Sequence, residues 1–143
     1  MKKVVWLFVC LLLVTGCGSE ELKELNLEKS ALVVEETLKN MTDIDKDTLE
    51  NVYEIDFSLI EEYVMKENEE GELYAIIRTN NKSSLKENMD SYFEKVRDFN
   101  TAYSPERVEI LDSRLEKEIG EFLIYIVAKD ANKIYNDIIH TME

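Results

Sequence analysis

One cysteine, Cys17, stands where its thiol is expected to be modified covalently. Residues Leu13-Val14-Thr15-Gly16-Cys17 close an apolar run with small residues that lead directly into the cysteine. Small side chains are what a signal peptidase needs beside its cut, so the sequence predicts cleavage between Gly16 and Cys17. Cys17 then becomes the N-terminus of the mature protein, and its sulfur carries lipid through a thioether.

The residues before this cysteine have the order of a secretory signal. Lys2 and Lys3 supply positive charge, and an apolar stretch runs from Val4 to Val14. A retained transmembrane span is the weaker interpretation, because this stretch falls well short of the ~20 residues that cross a bilayer as a helix. An ordinary secretory signal with an incidental cysteine is a second alternative. The small residues directly before the cysteine favour the lipobox of bacterial lipoproteins over both.

Lipidation of Cys17 determines where the chain is expected to reside. A diacylglyceryl cysteine supplies two acyl chains, which hold a protein firmly on a bilayer, whereas one chain binds only marginally. We expect residues 1–16 to be a signal peptide, 17–25 a tether and 26–143 a domain at the extracytoplasmic face of the cell membrane. Cys10 leaves with the signal, so the domain keeps no thiol for a disulfide, a zinc site or a nucleophile.

Charge narrows the class of partner. The formal net charge is −14 at pH 7, and loss of two lysines with the signal lowers it to −16. Nucleic acid is not an expected partner, because phosphate binding needs a basic stripe and the sequence has none. Anionic lipid surfaces also repel the domain. The expected partners are the bilayer, through Cys17, and an unidentified envelope protein or ligand; no cofactor is expected.

An acidic cluster in the first half of the chain partly matches a calcium loop. Asp43, Asp45 and Asp47 fall at loop positions one, three and five, and Glu54 falls at position twelve. The sixth position lacks the glycine on which the sharp turn of such a loop depends. Helix capping, with Asp47 and Glu50 at capping-box spacing, is the preferred interpretation.

The remaining polar residues show no catalytic spacing. His140, the only histidine, is expected in the last turn of the last helix, where the helix dipole favours a cation. A catalytic role for it would need a nucleophile and an orienting carboxylate. The seven tyrosines are expected mainly in the core with their hydroxyls reaching the surface, although some could line a ligand groove. We predict no catalytic and no metal-binding residue.

Hydrophobic patterning predicts one α+β domain after the signal. The expected sheet has four mostly antiparallel strands in two β-hairpins, each followed by a helix, with N-terminal helices packed on it. The first hairpin pairs a strand over 59–65 with one over 73–78. The second pairs a charged strand over 113–118 with 122–128, whose unbroken apolar run predicts burial on both faces.

Caps and apolar stripes predict the helices. Asn26 begins the first helix, Ser84 with Glu87 begins a long one, Pro105 follows its end, and Asp130 begins the last. A short helix is expected between the first helix and the long one, and its inward residues are expected to be Leu49, Val52 and Tyr53. The stripe that the long helix turns toward the sheet is expected to be Leu85, Met89, Tyr92, Phe93, Val96 and Phe99.

The two predicted hairpins begin their second strands alike. Gly71-Glu72-Leu73-Tyr74 and Gly120-Glu121-Phe122-Leu123 both follow a charged strand, and both strands lead into a capped helix. The domain is therefore predicted to be a doubled hairpin-plus-helix unit.

The order of several motifs resembles that of a known family. The motifs are Leu49 with Tyr53-Glu54-Ile55-Asp56, then Glu72-Leu73-Tyr74-Ala75-Ile76-Ile77, Tyr103-Ser104-Pro105-Glu106, and Ile119-Gly120-Glu121-Phe122 leading to Lys129-Asp130. From Leu27 onward the chain resembles an uncharacterised family of lipoproteins found mainly in Gram-positive bacteria, domain-of-unknown-function family 4358. Members of that family are expected to have glycine where this chain has Glu54. The resemblance supports the location and the fold, and it brings no activity or site with it.

Two classes of function remain open at this point. A non-catalytic, tethered module that binds an envelope protein, peptide or small ligand would show an exposed apolar or aromatic patch. A small envelope hydrolase or accessory enzyme that uses carboxylates would show a concave pocket holding carboxylates of shifted pKa. The lack of a nucleophile constellation favours the binding module.

Overall fold

The structure, a computed structural model, describes residues 24–142. In this part of the chain an antiparallel sheet lies between two layers of helices. The helices are α1 (Leu27–Thr37), α2 (Lys46–Asn51), α3 (Lys82–Tyr103), α4 (Val108–Asp112) and α5 (Ala131–His140). The strands are β1 (Thr42–Asp43), β2 (Glu62–Glu67), β3 (Leu73–Arg78), β4 (Leu115–Ile119) and β5 (Phe122–Val127). Single 3₁₀ turns lie at Phe57–Leu59 and Pro105–Arg107.

The described sheet has five strands in the order β1-β2-β3-β5-β4, and every neighbouring pair is antiparallel. The α+β class is confirmed, and the prediction of four strands is wrong. The additional strand is β1, whose two residues, Thr42 and Asp43, pair with Glu67 and Lys66. A strand this short has no alternating pattern of its own, because it is defined by a partner that lies far along the chain.

The two interior strands form the centre of the molecule. β3 and β5 pair along their whole length, from Leu73 opposite Val127 to Arg78 opposite Phe122. All six residues of β5 are buried, as its unbroken apolar run predicted. Five of the six residues of β3 are buried as well, so its second face is more enclosed than its sequence indicated. Helices on both sides account for this, since each face of the sheet needs an apolar cover.

Each face of the sheet has its own core. On one face, buried side chains of α3 pack on those of β3 and β5: Leu85, Met89, Tyr92 and Phe93 on Ala75, Ile77, Leu123 and Tyr125. On the other face, beneath α1 and α5, the buried side chains are Val34, Leu38, Ile134, Ile138, Tyr74, Ile76, Ile124 and Ile126. The even and odd residues of β3 and β5 divide between these two cores, because successive side chains of a strand point to opposite faces.

The predicted doubling of a hairpin-plus-helix unit holds for the hairpins of the sheet but not for the position of their helices. The hairpins β2-β3 and β4-β5 meet through their second strands, and each is followed by a helix, as predicted. The helices nevertheless cover opposite faces. When the two glycines are aligned, Leu73 corresponds to Phe122, but Leu73 lies in the core beneath α3 and Phe122 in the core beneath α1 and α5. The two halves are therefore not copies related by a two-fold axis.

In each of the first two helices, the N-cap side chain accepts a hydrogen bond from the backbone N–H three residues later. Asn26 accepts a hydrogen bond from the backbone N–H of Lys29 at 2.9 Å, which confirms the predicted start of α1. For α2 the predicted cap, Asp47, is wrong. The cap is Asp45, whose carboxylate accepts from the backbone N–H of Thr48 at 2.9 Å. Two aspartates two residues apart both suit an N-cap, and the path of the chain out of β1 selects the earlier one.

The cap of the long helix differs from the prediction in the same way. Asn81, not Ser84, is the cap of α3, and its side chain accepts from the backbone N–H of Ser84 at 3.3 Å. Asp130 lies at the N-cap position of α5, as expected, but its carboxylate accepts no hydrogen bond from the backbone of the helix.

The loop after α2 is fastened to α3 by an asparagine and a lysine. Asn88 accepts from the backbone N–H of Asp56 at 2.8 Å and donates to the carbonyl of Glu54 at 3.0 Å. Lys95 pairs with the Glu54 carboxylate at 2.5 Å. Glu54 itself has a φ of 59°, in the left-handed region that favours glycine. This explains why glycine is expected at the position in the family that the chain resembles.

We expect Glu54→Gly to be more stable than Glu54→Ala by about 1 kcal/mol, because only glycine adopts this φ without a steric penalty. Both variants lose the exposed ion pair with Lys95, so the comparison isolates the backbone term. Urea unfolding followed by circular dichroism measures the difference. Equal unfolding midpoints for the two variants would show that the left-handed conformation is not under strain.

Candidate functional site

The predicted lipidation and cleavage residues, Gly16 and Cys17, lie outside the described residues. The described chain begins at Glu24, at the end of the molecule where Gly120 forms the β4-β5 turn. A cleft of about 370 Å³ at this end is lined by Glu24, Leu25, Ile119, Gly120, Glu121, Phe122 and Met142. We call this the N-terminal end. Between residues 24 and 142, no helix is both long and apolar enough to cross a membrane.

Helix α3 connects the N-terminal end to the opposite end of the molecule. At its start, the Lys82 ammonium donates to the carbonyl of Gly120 at 3.0 Å. Its 22 residues extend about 33 Å at 1.5 Å per residue, whereas a six-residue strand extends only about 20 Å. Helix α3 is therefore about 13 Å longer than these strands, and its end lies where Pro105–Arg107 meets the β2-β3 turn. We call this region the distal end.

The distal part of α3 carries two exposed aromatic side chains. Phe99 is 57% exposed and Tyr103 is 74% exposed, and their ring centroids are 4.8 Å apart with the planes tilted by 39°. They lie one helical turn apart on the same face. We call them the distal aromatic pair. Phe99 was predicted in the buried stripe of α3, and this is wrong: in this turn of the helix Asn100 is buried and Phe99 is exposed.

The segment beyond the pair is held against the β2-β3 turn. Pro105–Arg107 follows α3 directly, and the Arg107 guanidinium donates to the carbonyl of Glu69 in that turn. The turn accommodates the stem of Arg107 at Gly71, where a β-carbon would come within 2.9 Å of it and where φ is +83°. Only glycine fits both conditions. Three exposed carboxylates lie in these two segments and are named here the distal carboxylates: Glu69, Glu70 and Glu106.

One carboxylate beneath α3 has an unusual environment. Glu67 lies at the end of β2 and is partly exposed to solvent. Surrounding protein atoms nevertheless desolvate its carboxyl and raise its pKa, and the charge of Arg107 partly offsets this rise. Burial raises the pKa of the neighbouring tyrosines, Tyr92 most of all, and the charge of Glu67 adds to this effect. The rings of Tyr53 and Tyr92 meet edge to face at 4.9 Å. Glu67 is therefore the described carboxylate that best fits the enzyme alternative.

A second polar cluster lies on the opposite face of the sheet. Glu35 of α1 accepts from the hydroxyl of buried Tyr74 at 2.7 Å and pairs with Lys66 of β2 at 2.9 Å. Burial by itself would raise the pKa of Glu35, but the bonds from Lys66 and Tyr74 outweigh it and hold this pKa below its usual value of 4.5. The cluster joins α1 to the sheet, which is a structural role.

The Glu35 cluster predicts a pH dependence of stability. Because the folded state lowers the pKa of Glu35, its contribution is present above about pH 4.5 and is lost as the pH falls below that value. We expect Glu35→Gln to be less stable than the wild type at pH 6, and the difference to shrink steadily toward pH 3. Urea midpoints across this range measure it. A difference that stays constant would show that the ionised form of Glu35 is not what stabilises the fold.

The structure separates the residues of the calcium-loop alternative. Asp45 caps α2, the Asp43 carboxylate is 3.8 Å from the Lys66 ammonium, and Glu54 pairs with Lys95 on the other side of the sheet. In the described range, 24–142, no group of three or more histidine, cysteine or acidic side chains is placed to hold a metal ion. His140 is the last residue of α5, as expected.

Sequence reasoning missed the distal end for an identifiable reason. Phe99 and Tyr103 continue the helical spacing of buried residues such as Tyr92, so spacing alone assigned Phe99 to the core and Tyr103 to the mainly buried tyrosines. Val52 was likewise predicted to face inward and is 61% exposed, because α2 ends at Asn51 and its apolar face ends with it. The available signal was the length of α3, which exceeds that of every predicted strand.

Comparison with known proteins gives one match. No curated protein and no solved structure is detectably similar to this chain. The family model that matches is Domain of unknown function (DUF4358), over residues 34–128. This range contains all five described strands, the long helix α3 and the whole distal end. The chain therefore belongs to the DUF4358 family.

Proposed function

We propose that this protein is a lipid-anchored lipoprotein of the cell envelope whose domain is a non-catalytic binding module, and that it engages its partner through the distal aromatic pair. The single observation that carries the proposal is the exposure of Phe99 and Tyr103, two aromatic side chains in contact near the C-terminal end of α3. Exposed aromatic side chains in contact with each other are unusual on a monomer surface and are enriched at protein interfaces.

The position of the pair suits a tethered receptor. Six residues separate Cys17, if lipidated, from Glu24, and the seven steps from one Cα to the other reach at most about 25 Å when fully extended. The N-terminal end then lies near the bilayer, and the pair lies about 26–32 Å from Lys82 along α3. A partner outside the membrane would meet the distal end first.

A photo-crosslinking amino acid placed at position 103 tests this proposal in living cells that produce the full chain. We expect illumination to yield one discrete crosslinked species from position 103, because a specific partner presents a single surface to the pair. The matched control is position 32, since Leu32 is comparably exposed, at 66%, and lies on α1 away from the pair. It should yield no such species.

Two outcomes would contradict the binding module. The same products from positions 103 and 32 would mean that the pair makes only chance encounters. An enzymatic activity that is lost in Glu67→Gln and kept in Phe99→Ala/Tyr103→Ala would favour the carboxylate enzyme instead, for which the raised pKa of Glu67 is the supporting observation.

A further inference from the structure

We infer that the distal aromatic pair and the distal carboxylates together form a docking surface for a basic protein segment, one that presents lysine or arginine side chains. This inference rests on the proposed function and names the chemistry of its partner. It joins two independent features of one surface: exposed aromatic faces and an excess of negative charge.

The rings supply the first feature. Phe99 and Tyr103 lie on one helical face with their centroids 4.8 Å apart, so a single extended side chain can contact both. A lysine or arginine is attracted to the face of an aromatic ring by its quadrupole, and its aliphatic stem covers apolar surface at the same time. The same kind of contact already occurs inside this protein, where the Arg114 guanidinium lies 4.4 Å from the centre of the Phe93 ring.

The distal carboxylates supply the second feature. In the described part of the chain, the carboxylates of Glu69, Glu70 and Glu106 form no ion pair, and all three residues are exposed. Arg107 bonds to the Glu69 carbonyl and holds the turn beside the segment that follows Tyr103, so these charges lie at the end of α3 that carries the pair.

Two of the three cations nearest in sequence to the pair are neutralised by ion pairs; the third, Arg107, donates to the carbonyl of Glu69 and keeps its charge. Lys95 pairs with Glu54, and Arg97 forms a two-pronged pair with Asp112 at 2.8 and 3.2 Å. The charge of Arg107 remains, but the three distal carboxylates outnumber it, so this surface is negative in sum. A cationic partner regains the charge complementarity that this end of the domain lacks.

Charge also argues against the other occupants of such a surface. A second copy of this chain would bring the distal carboxylates of two molecules face to face, since a two-fold contact pairs a patch with itself. An anionic lipid surface would be repelled for the same reason. A basic protein segment is the occupant that satisfies both the rings and the carboxylates.

Binding of a simple cationic peptide tests the inference. The probe is a fluorescein-labelled ten-residue peptide of alternating lysine and serine, titrated with the full chain in non-ionic detergent at about 50 mM salt and followed by anisotropy. We expect saturable binding that weakens at higher salt. A peptide with glutamate in place of lysine should bind at least about 10-fold more weakly.

Matched variants separate the distal surface from the overall charge. Phe99→Ala/Tyr103→Ala should weaken binding about 10-fold, through loss of two cation–π contacts. Glu69→Gln/Glu70→Gln/Glu106→Gln should weaken it several-fold. The control removes the same number of charges at the N-terminal end, through Glu24→Gln/Glu28→Gln/Glu121→Gln, and should leave the affinity nearly unchanged. Circular dichroism confirms that each variant is folded.

Two results would overturn the inference: unchanged binding in the aromatic variant, or equal weakening by the two sets of charge substitutions. These failures can be distinguished from failure of the proposed function. A discrete crosslink at position 103 that persists while the lysine peptide fails to bind would refute a basic partner and keep the binding module. Loss of both the crosslink and the peptide binding would refute both.

Discussion

Replacing Phe93 with alanine is expected to lower the free energy of unfolding by about 3–5 kcal/mol, a large part of the stability of a domain this size. Phe93 is only 2% exposed. Its ring contacts those of Tyr92 and Tyr125, at centroid distances of 5.0 and 5.4 Å, and the guanidinium of Arg114 lies over it. Truncation removes these contacts and leaves a cavity between α3 and the sheet that the neighbouring rings cannot close.

Phe99→Ala is the matched control, because it is the same substitution in the same helix. With 57% of Phe99 exposed, its removal should cost less than about 1 kcal/mol. Urea unfolding, followed by tyrosine fluorescence and by circular dichroism, measures both variants. Comparable losses at the two positions would mean that the distal part of α3 is packed and that no exposed aromatic surface exists.

Replacing Cys17 with alanine is expected to abolish lipid attachment. The thioether needs the sulfur, and nothing else near the predicted cleavage site can form it. Two acyl chains contribute about 0.8 kcal/mol for each buried methylene group, so their loss removes the anchor entirely. The variant should either appear in the medium or accumulate as an uncleaved precursor. Metabolic labelling with a palmitate analogue and the intact mass of the protein measure the outcome.

Cys10→Ala provides the control for Cys17→Ala. Cys10 lies inside the predicted signal peptide, so its loss should leave labelling, mature mass and membrane fractionation unchanged. Lipid labelling that survives in Cys17→Ala would refute the anchor, and so would a mature Cys17 found with its thiol unmodified.

Much of the fold followed from local patterns. Period-two and continuous apolar runs identified β2, β3, β4 and β5 to within a few residues, and each hairpin is followed along the chain by a helix, as predicted. Asn26 was identified correctly as the cap of α1 because no competing capping residue stands beside it. The errors at α2 and α3 fell where several capping residues occur close together, so the local signal was ambiguous.

Contacts between distant segments accounted for what the sequence missed. The strand β1 needed β2 to define it. The short helix α4, where no helix was predicted, is joined to α3 by the ion pair of Arg97 with Asp112. The sheet pairing of β3 with β5 placed α3 and α5 on opposite faces, although the two hairpins begin alike.

The candidate docking surface shows the same limit most clearly. Helical spacing identifies which side of a helix is apolar, and it places Tyr92 and Phe99 on one stripe. It contains no information on which positions of that side other segments cover. Tyr92 and Asn100 are buried and Phe99, between them in sequence, is exposed.

The sequence by itself determined the α+β class, the interior strand and the resemblance to the family that residues 34–128 match, and it alone carries the prediction of a lipidated Cys17. These depend on the order of residues close together in the chain. The fifth strand, the division of the helices between two faces and the exposure of Phe99 and Tyr103 were decided only by the tertiary structure. The physical reason is that pairing and burial depend on partners far away in sequence, whose extent no local pattern records.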